Sequence, residues 1–321
     1  MRLAGFRYAL ASLVAVSALS VPAFLAPSPT PDWPAWVAGA HLAGDAARLY
    51  SFEESQRITK DFAEPRDGVW AFVRPPVYAT FLRPLAWLTP REAFVVWQAI
   101  NLAALMIAAL LIWPSPWAPI LAALFPPLLQ SFRQGQDMPL FLLATAVALR
   151  TLPHRPILAG AALSLLGLKP HLILLLPVLF VMHRTLRLAG GFFAGGAVLI
   201  AGCFALYGWA WPRLYIDFVL ENQLHLGIPA ADGSRLILLF GVACALAFLV
   251  RRLRNAETAL LAALALGVLA APRMYAYDFA LALPLLLVLV RSASAGAPSS
   301  VAGDGAQANA SPDRVLSHPD S

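Results

Sequence analysis

Six groups of polar side chains stand out in an apolar sequence. They are Gly44-Asp45, Arg74-Pro75-Pro76, Arg133-Gln134-Gly135-Gln136-Asp137, Lys169-Pro170-His171, Glu221-Asn222-Gln223-Leu224-His225 and Arg273-Met274-Tyr275-Ala276-Tyr277-Asp278. Between them they hold carboxylates that can accept a proton, imidazoles, and cations able to hold an anion. Ionisable groups at membrane depth are costly unless they pair or line a wet cavity, so such clusters on one face point to a site there. Other chemistries lack their residues. No G-x-x-x-x-G-K-[ST] or Rossmann glycine pattern is present to cradle a nucleotide. The six histidines are scattered without H-E-x-x-H or paired spacing, so neither a metal nor another cofactor is expected. Cys203 and Cys244 lie in apolar runs without C-x-x-C spacing and read as core residues.

The depth at which these groups lie follows from composition. Of 321 residues, 60% are hydrophobic and 12% charged, with a mean hydropathy of +0.71. A soluble domain carries roughly 25% charged residues to coat its surface, so this chain reads as an all-α integral membrane protein. A soluble enzyme, a secreted disulfide scaffold and a disordered chain are excluded. The net charge of +6 would suggest nucleic acid in a soluble protein. Here it is instead a question of which side of the bilayer the cations occupy, and no nucleic-acid partner is expected.

Ten apolar runs could position the clusters: 8–26, 93–113, 117–132, 138–152, 157–168, 172–182, 188–209, 236–250, 256–271 and 279–290. The first, preceded by Arg2 and Arg7, has the length of a span and also the look of a signal peptide cleaved near Ala23 or Ala26; the span is preferred. Residues 27–91 form the one long loop, with seven basic and seven acidic side chains. Thr89-Pro90-Arg91-Glu92 has capping-box spacing with proline at the first helical position, so a helix should start there. Residues 292–321, rich in alanine, serine, glycine and proline, are expected to be a disordered cytoplasmic tail.

Charge sets the orientation. With ten crossings and a cytoplasmic N-terminus, one side collects Arg2, Arg7, Arg150, Arg155, Arg184, Arg187, Arg251, Arg252, Arg254 and Arg291 against the single acid Glu257. The short turns opposite balance five basic residues against five acids. This is the positive-inside asymmetry, and it puts all six polar clusters on the extracytoplasmic face and both termini in the cytoplasm. Merging 157–182 into one span would reverse everything after it and is rejected, whereas a re-entrant hairpin there keeps the same parity.

The Gly44-Asp45 pair, the Arg74-Pro75-Pro76-Val77-Tyr78 run leading to Pro84-Leu85, and Trp97-Gln98-Ala99-Ile100-Asn101 carry a family resemblance. So do Gly135-Gln136, Leu168-Lys169-Pro170 and Tyr275-Ala276-Tyr277-Asp278. In this order, over roughly residues 5 to 290, the chain resembles glycosyltransferase family 87, which includes polyprenol-phosphate-mannose-dependent mannosyltransferases. Gln136-Asp137 departs from the Gln-Asn expected of that family.

The resemblance implies a GT-C-type multispanning bundle of about ten transmembrane helices over residues 1–291, with its long first loop, 27–91, outside. The alanine, leucine, arginine and proline bias of the composition fits a multi-pass protein of the bacterial inner (plasma) membrane, surrounded by membrane lipids. The donor would be a polyprenyl-phosphate-linked hexose, mannose by default, and the acceptor a lipid or glycan. Asp45 would be the catalytic base of an inverting transfer. Lys169, His171 and Arg273 would hold the donor phosphate, and Arg74, Gln134, Gln136, Tyr277 and Asp278 would line the substrate site. A lipid-phosphate donor also suits a chain with no nucleotide cradle.

Plainer readings of the same residues stand beside these. Asp45 could be a helix cap, Lys169 could snorkel from a helix end, and Arg273 could pair with Asp278. The tryptophans and tyrosines could be an interfacial belt. The alternative from another class is a lipid or small-solute transporter or flippase, against which stands the lack of a visible internal repeat.

Overall fold

The computed structural model describes residues 32–62, 71–221, 233–253, 255–271 and 275–296. The run 8–26, the cluster residues 222–225, Arg254, Arg273 and residues 297–321 lie outside these. The described residues are helical, without strands. The segment read as a long loop is itself built from short helices: α1 (Trp33–Leu42), α2 (Ala46–Leu49), α3 (Phe52–Thr59), α4 (Pro76–Leu82) and a 3₁₀ turn (Arg83–Trp87). After it come α5 (Pro90–Ile112), α6 (Trp117–Ala123), α7 (Pro126–Gln134), α8 (Met138–Thr151), α9 (Pro156–Ser164), α10 (Leu176–Met182), α11 (Leu186–Tyr207), α12 (Trp211–Glu221), α13 (Gly233–Arg252), α14 (Ala256–Gly267) and α15 (Leu283–Gly296).

α5 begins as its sequence predicts. Glu92 accepts from the Thr89 amide at 3.0 Å, Thr89 Oγ1 accepts from the Glu92 amide at 3.4 Å, and Pro90 fills the first helical position where an N–H would be idle. At 1.5 Å per residue its 23 residues reach about 34 Å, enough for a ~30 Å hydrocarbon core. Among the described residues, α5 and the 22-residue α11 are the two helices long and apolar enough to cross a membrane.

The run 117–132 departs from the single span expected of it. Pro126 and Pro127 have no N–H to continue a ladder, and Phe125, ahead of them, is pushed to an extended ψ of 114°. Two short helices result, α6 and α7. The region 157–182 is two arms: α9 continues through a 3₁₀ turn to Leu168, the chain breaks at Lys169 (φ −130°, ψ 79°), and a second turn over Pro170–Ile173 leads into α10.

α9 and α11 pack through small residues. A Cβ on Gly160 would meet the Leu188 carbonyl, one on Gly191 the Ile157 carbonyl, and one on Gly195 the Ser164 hydroxyl. The spacings Gly160-x-x-x-Ser164 and Gly191-x-x-x-Gly195 thus mesh in register, the small-residue contact that lets apolar helices approach without a hydrophobic driving force.

The turns at Asp137, Lys169 and Asp278 meet at one end of the bundle, and Pro156, Arg184 and Asn255, at the starts of helices or the turns before them, meet at the other. The first-loop helices fold onto the former. Trp33 packs edge-on against Phe94 at 5.3 Å and donates to the Pro90 carbonyl at 3.3 Å. The outward flanks of α11 and α13 expose Phe193, Val198, Ile237 and Phe240, the surface a lipid-facing bundle presents. Cys203 is buried as expected, whereas Cys244 is exposed on α13.

Candidate active site

Arg74 is held by the extended segment before α4. Its Nη2 donates to both oxygens of Asp137 at 3.2 and 3.3 Å, and its Nη1 to the Leu168 carbonyl at 3.5 Å. The guanidinium lies 5.1 Å from the Trp36 ring centroid. Tyr78, one turn into α4, donates to Asp137 Oδ2 at 2.8 Å. Asp137 occupies the N-cap position of α8 but makes no cap bond, because its carboxylate is turned to Arg74 and Tyr78. What turns the chain there is Gly135, at φ +70°, a left-handed helix end for which glycine carries no Cβ penalty. Trp97 Nε1 donates to the Gly135 carbonyl at 2.8 Å and Gln98 Nε2 to the Phe132 carbonyl at 2.7 Å, so α5 clamps the end of α7.

The second ion pair sits one residue past Leu168. Lys169 Nζ donates to Asp278 Oδ1 at 2.5 Å and lies 4.4 Å from the Tyr277 ring centroid. Asp278 Oδ2 accepts from the Tyr275 amide at 3.1 Å and lies 3.2 Å from His171 Nε2. Both pairs are buried, with Asp137 and Asp278 fully enclosed. Burial at this depth is tolerable because each cation has a carboxylate and each carboxylate has further donors. The Leu168 carbonyl, bonded to Arg74 and adjacent to Lys169, joins the two pairs into one network.

Tyr50 ties the first loop to that network, its hydroxyl donating to the Arg74 carbonyl at 2.9 Å. Burial, and after it Tyr215, raise the ionisation of Tyr50, so it stays a protonated donor. Tyr50 also packs against Tyr215 of α12 at 5.3 Å. Five residues earlier stands Asp45, exposed, as the N-cap of α2. Its Oδ1 accepts from the amides of Ala47 and Arg48 at 3.0 and 3.2 Å. Gly44 before it takes φ +105°.

The structure thus brings Arg74, Lys169, His171, Tyr277 and Asp278 of the predicted set together, with Asp45 on the adjoining loop. Gln136 is buried beside Asp137, and its Oε1 has no hydrogen-bond partner among the described residues. Gln134 is half-buried at the end of α7. The buried Lys169 meets an anionic partner within the chain, Asp278. Asp278 is correspondingly committed to Lys169 and His171. Sequence reasoning placed Asp137 and Tyr78 in notable segments and read Trp36 as one of the belt tryptophans, but missed their contact with Arg74. The equal numbers of cations and acids in the turns at this end were the available sign of pairing.

An all-helical, largely apolar bundle with paired charges enclosed at one end is the class of protein that fold and site define. Residues 72–272 match the model of glycosyltransferase family 87, and the chain belongs to that family. The matched stretch contains Arg74, Gln134, Gln136, Lys169 and His171; Asp45, Arg273, Tyr277 and Asp278 lie outside it. No curated protein and no solved structure matches the chain.

Proposed function

We propose that this glycosyltransferase moves a hexose, mannose by default, from a polyprenyl-phosphate-linked donor to a lipid or glycan acceptor at the extracytoplasmic face, with inversion. The observation that carries the reading is the placement of Asp45. Its carboxylate is exposed and oriented through one oxygen by the start of α2, and it adjoins the Tyr50 anchor of the buried charge network. In the reaction, a carboxylate oxygen of Asp45 takes the proton of the acceptor hydroxyl as the hydroxyl's own oxygen attacks the anomeric carbon. The bond from that carbon to the phosphate oxygen breaks, and polyprenyl phosphate departs with the electron pair.

Cations beside the phosphate stabilise the charge it gains. Lys169 is enclosed and engaged by Asp278, so its part is to fix Asp278 and through it His171, whose side chain is 25% exposed. His171 and Arg273 are then the groups offered to the phosphate. Gln136, with an idle buried acceptor, and the half-buried Gln134 serve the sugar or acceptor hydroxyls, while Arg74, Tyr277 and Asp278 shape the site around them. Absence of a nucleotide-cradling motif supports a lipid-phosphate donor.

Membrane placement follows the same reading: a multi-pass bundle of about ten spans in a bacterial plasma membrane, with both termini cytoplasmic. Residues 1–291 form the membrane domain and 292–321 the tail. α8 and the two arms meeting at Lys169 are only 13 or 14 residues long, about 20 Å, so the paired charges lie recessed below the face.

Asp45→Asn keeps the cap acceptor and removes the base. Transfer by the purified, folded variant should fall about 10²–10⁴-fold, and near-normal turnover overturns the assignment. For orientation, a cysteine placed at Gly68 should react with an impermeant maleimide added to intact spheroplasts and one at Asn255 should not; the reverse pattern overturns the sidedness.

A further inference from the structure

The far end of the bundle holds two adjoining cavities of about 620 and about 470 Å³ that share Leu149, Pro153 and Glu257 as walls. Arg184 and Arg187 line the larger, Arg150 and Arg291 the smaller, and Glu257 is the only acid on either. Ion pairs among the described residues engage Arg48, Arg57, Arg74 and Arg213; Arg150, Arg184 and Arg187 form none. Arg291 donates to the Ile112 carbonyl at 3.0 Å, at the end of α5.

Three helices begin at the larger cavity. Pro156 of α9, Leu186 of α11 and Ala256 of α14 all line it. α11 has no side-chain cap, and the hydroxyl of Thr185 at its cap position is buried with no partner among the described residues. Uncapped N–H groups and the positive ends of helices are a setting for an anion. Arg184 adds a further sign. It has a φ of +49°, the only described non-glycine residue with positive φ, at the end of α10 where glycine is the usual choice. An arginine stands where glycine would fold more easily, and it lines the cavity.

The rim selects among anions. Val181 and Leu186 beside the arginines and Ile157 at the start of α9 are well exposed, the last two 77% and 60%. A phosphate in the cavity with hydrocarbon against these side chains is the chemistry of a phospholipid, and an arginine fork suits phosphate oxygens. We propose that this end of the bundle is a binding site for one anionic phospholipid, its headgroup phosphate held by Arg184 and Arg187 at the start of α11. This site is separate from the sugar-transfer reading, lying at the other end of the helices from Asp45 and the paired charges.

The test uses the full chain, purified in detergent, delipidated and titrated with phosphatidylglycerol or phosphatidylcholine under native mass spectrometry. Phosphatidylglycerol should be retained at least ~10-fold better, and Arg187→Ala should weaken it about fivefold, in line with one basic side chain near an anionic surface. Arg184→Gly removes the charge and suits the positive φ, so it should lower lipid retention while leaving the melting temperature unchanged or higher. Glu257→Gln should act in the opposite direction and tighten binding. Inorganic phosphate at millimolar concentration should not displace the lipid; displacement, with no preference between the two lipids, reassigns the site to free phosphate and overturns the proposal. Equal retention of both lipids by the native chain, or unchanged retention in both arginine variants, also overturns it. Because binding is read without sugar transfer, Asp45→Asn protein should bind phosphatidylglycerol as the native chain does, which keeps the two readings separable.

Discussion

The two ends of the bundle treat their charges in opposite ways. At the Arg74 end, cations and carboxylates are enclosed in equal number: Arg74 with Asp137, Lys169 with Asp278. At the Arg184 end, arginines line open cavities with one glutamate among them. A buried charge must find its partner within the fold, because desolvation is otherwise uncompensated. An exposed charge is solvated and needs none, so an excess of one sign is free to persist there. The first kind of charge builds structure and positions other groups, and the second is available to something outside the chain.

The largest test of this contrast removes one member of a buried pair. Asp278→Asn leaves Lys169 enclosed without a counter-charge and should lower stability by about 3–5 kcal/mol, seen as a large fall in melting temperature in detergent. Adding Lys169→Met should recover much of that loss, since an apolar replacement removes the stranded charge. If the single and double variants melt alike, the pair is not holding the turn.

A smaller effect is expected at the other pair. Tyr78→Phe deletes the donor at 2.8 Å from Asp137 but leaves Arg74 in place, so a loss of about 1.5–3 kcal/mol should appear by the same melt. No change would mean that Arg74 alone satisfies Asp137.

The smallest lies on the loop surface. Glu54 accepts from Arg48 and Arg57, both at 2.9 Å, and these hydrogen bonds, Arg57's first, hold its carboxyl below the ordinary carboxylate range. A depressed carboxyl contributes stability above its unfolded value and loses it as pH falls through the lowered one. Both arginines are exposed, so Glu54→Gln should leave the melting temperature at pH 7 within experimental error. A marked shift there would erase the distinction between enclosed and solvated pairs.

Much of this architecture is readable along the chain because its causes are local. The start of α5 depends on Thr89, Pro90 and Glu92, all within four residues, and the capping box forms as that spacing requires. The break at Lys169 follows from the proline after it. The division of 117–132 was equally present in Pro126-Pro127, and was hidden by hydropathy, which averages over a proline without registering the missing N–H. The helices within 27–91 were obscured for the same reason: their short, mixed-polarity segments resemble a loop by composition, though Ser51 and Asp45 are ordinary cap residues.

By itself, then, the sequence determined that the chain is helical and apolar, where several helices begin and break, which residues are costly enough at depth to mark a site, and the family to which they point. Those properties depend on composition and on neighbours a few positions apart. Only the tertiary structure decided which charges meet. Arg74 and Asp137 are 63 positions apart, and Lys169 and Asp278 are 109. The order of residues cannot say whether Lys169 faces an internal carboxylate or an external phosphate, because both satisfy the same desolvated ammonium. That choice is made by the packing that sets the turn before α15 against the tip of the two short arms.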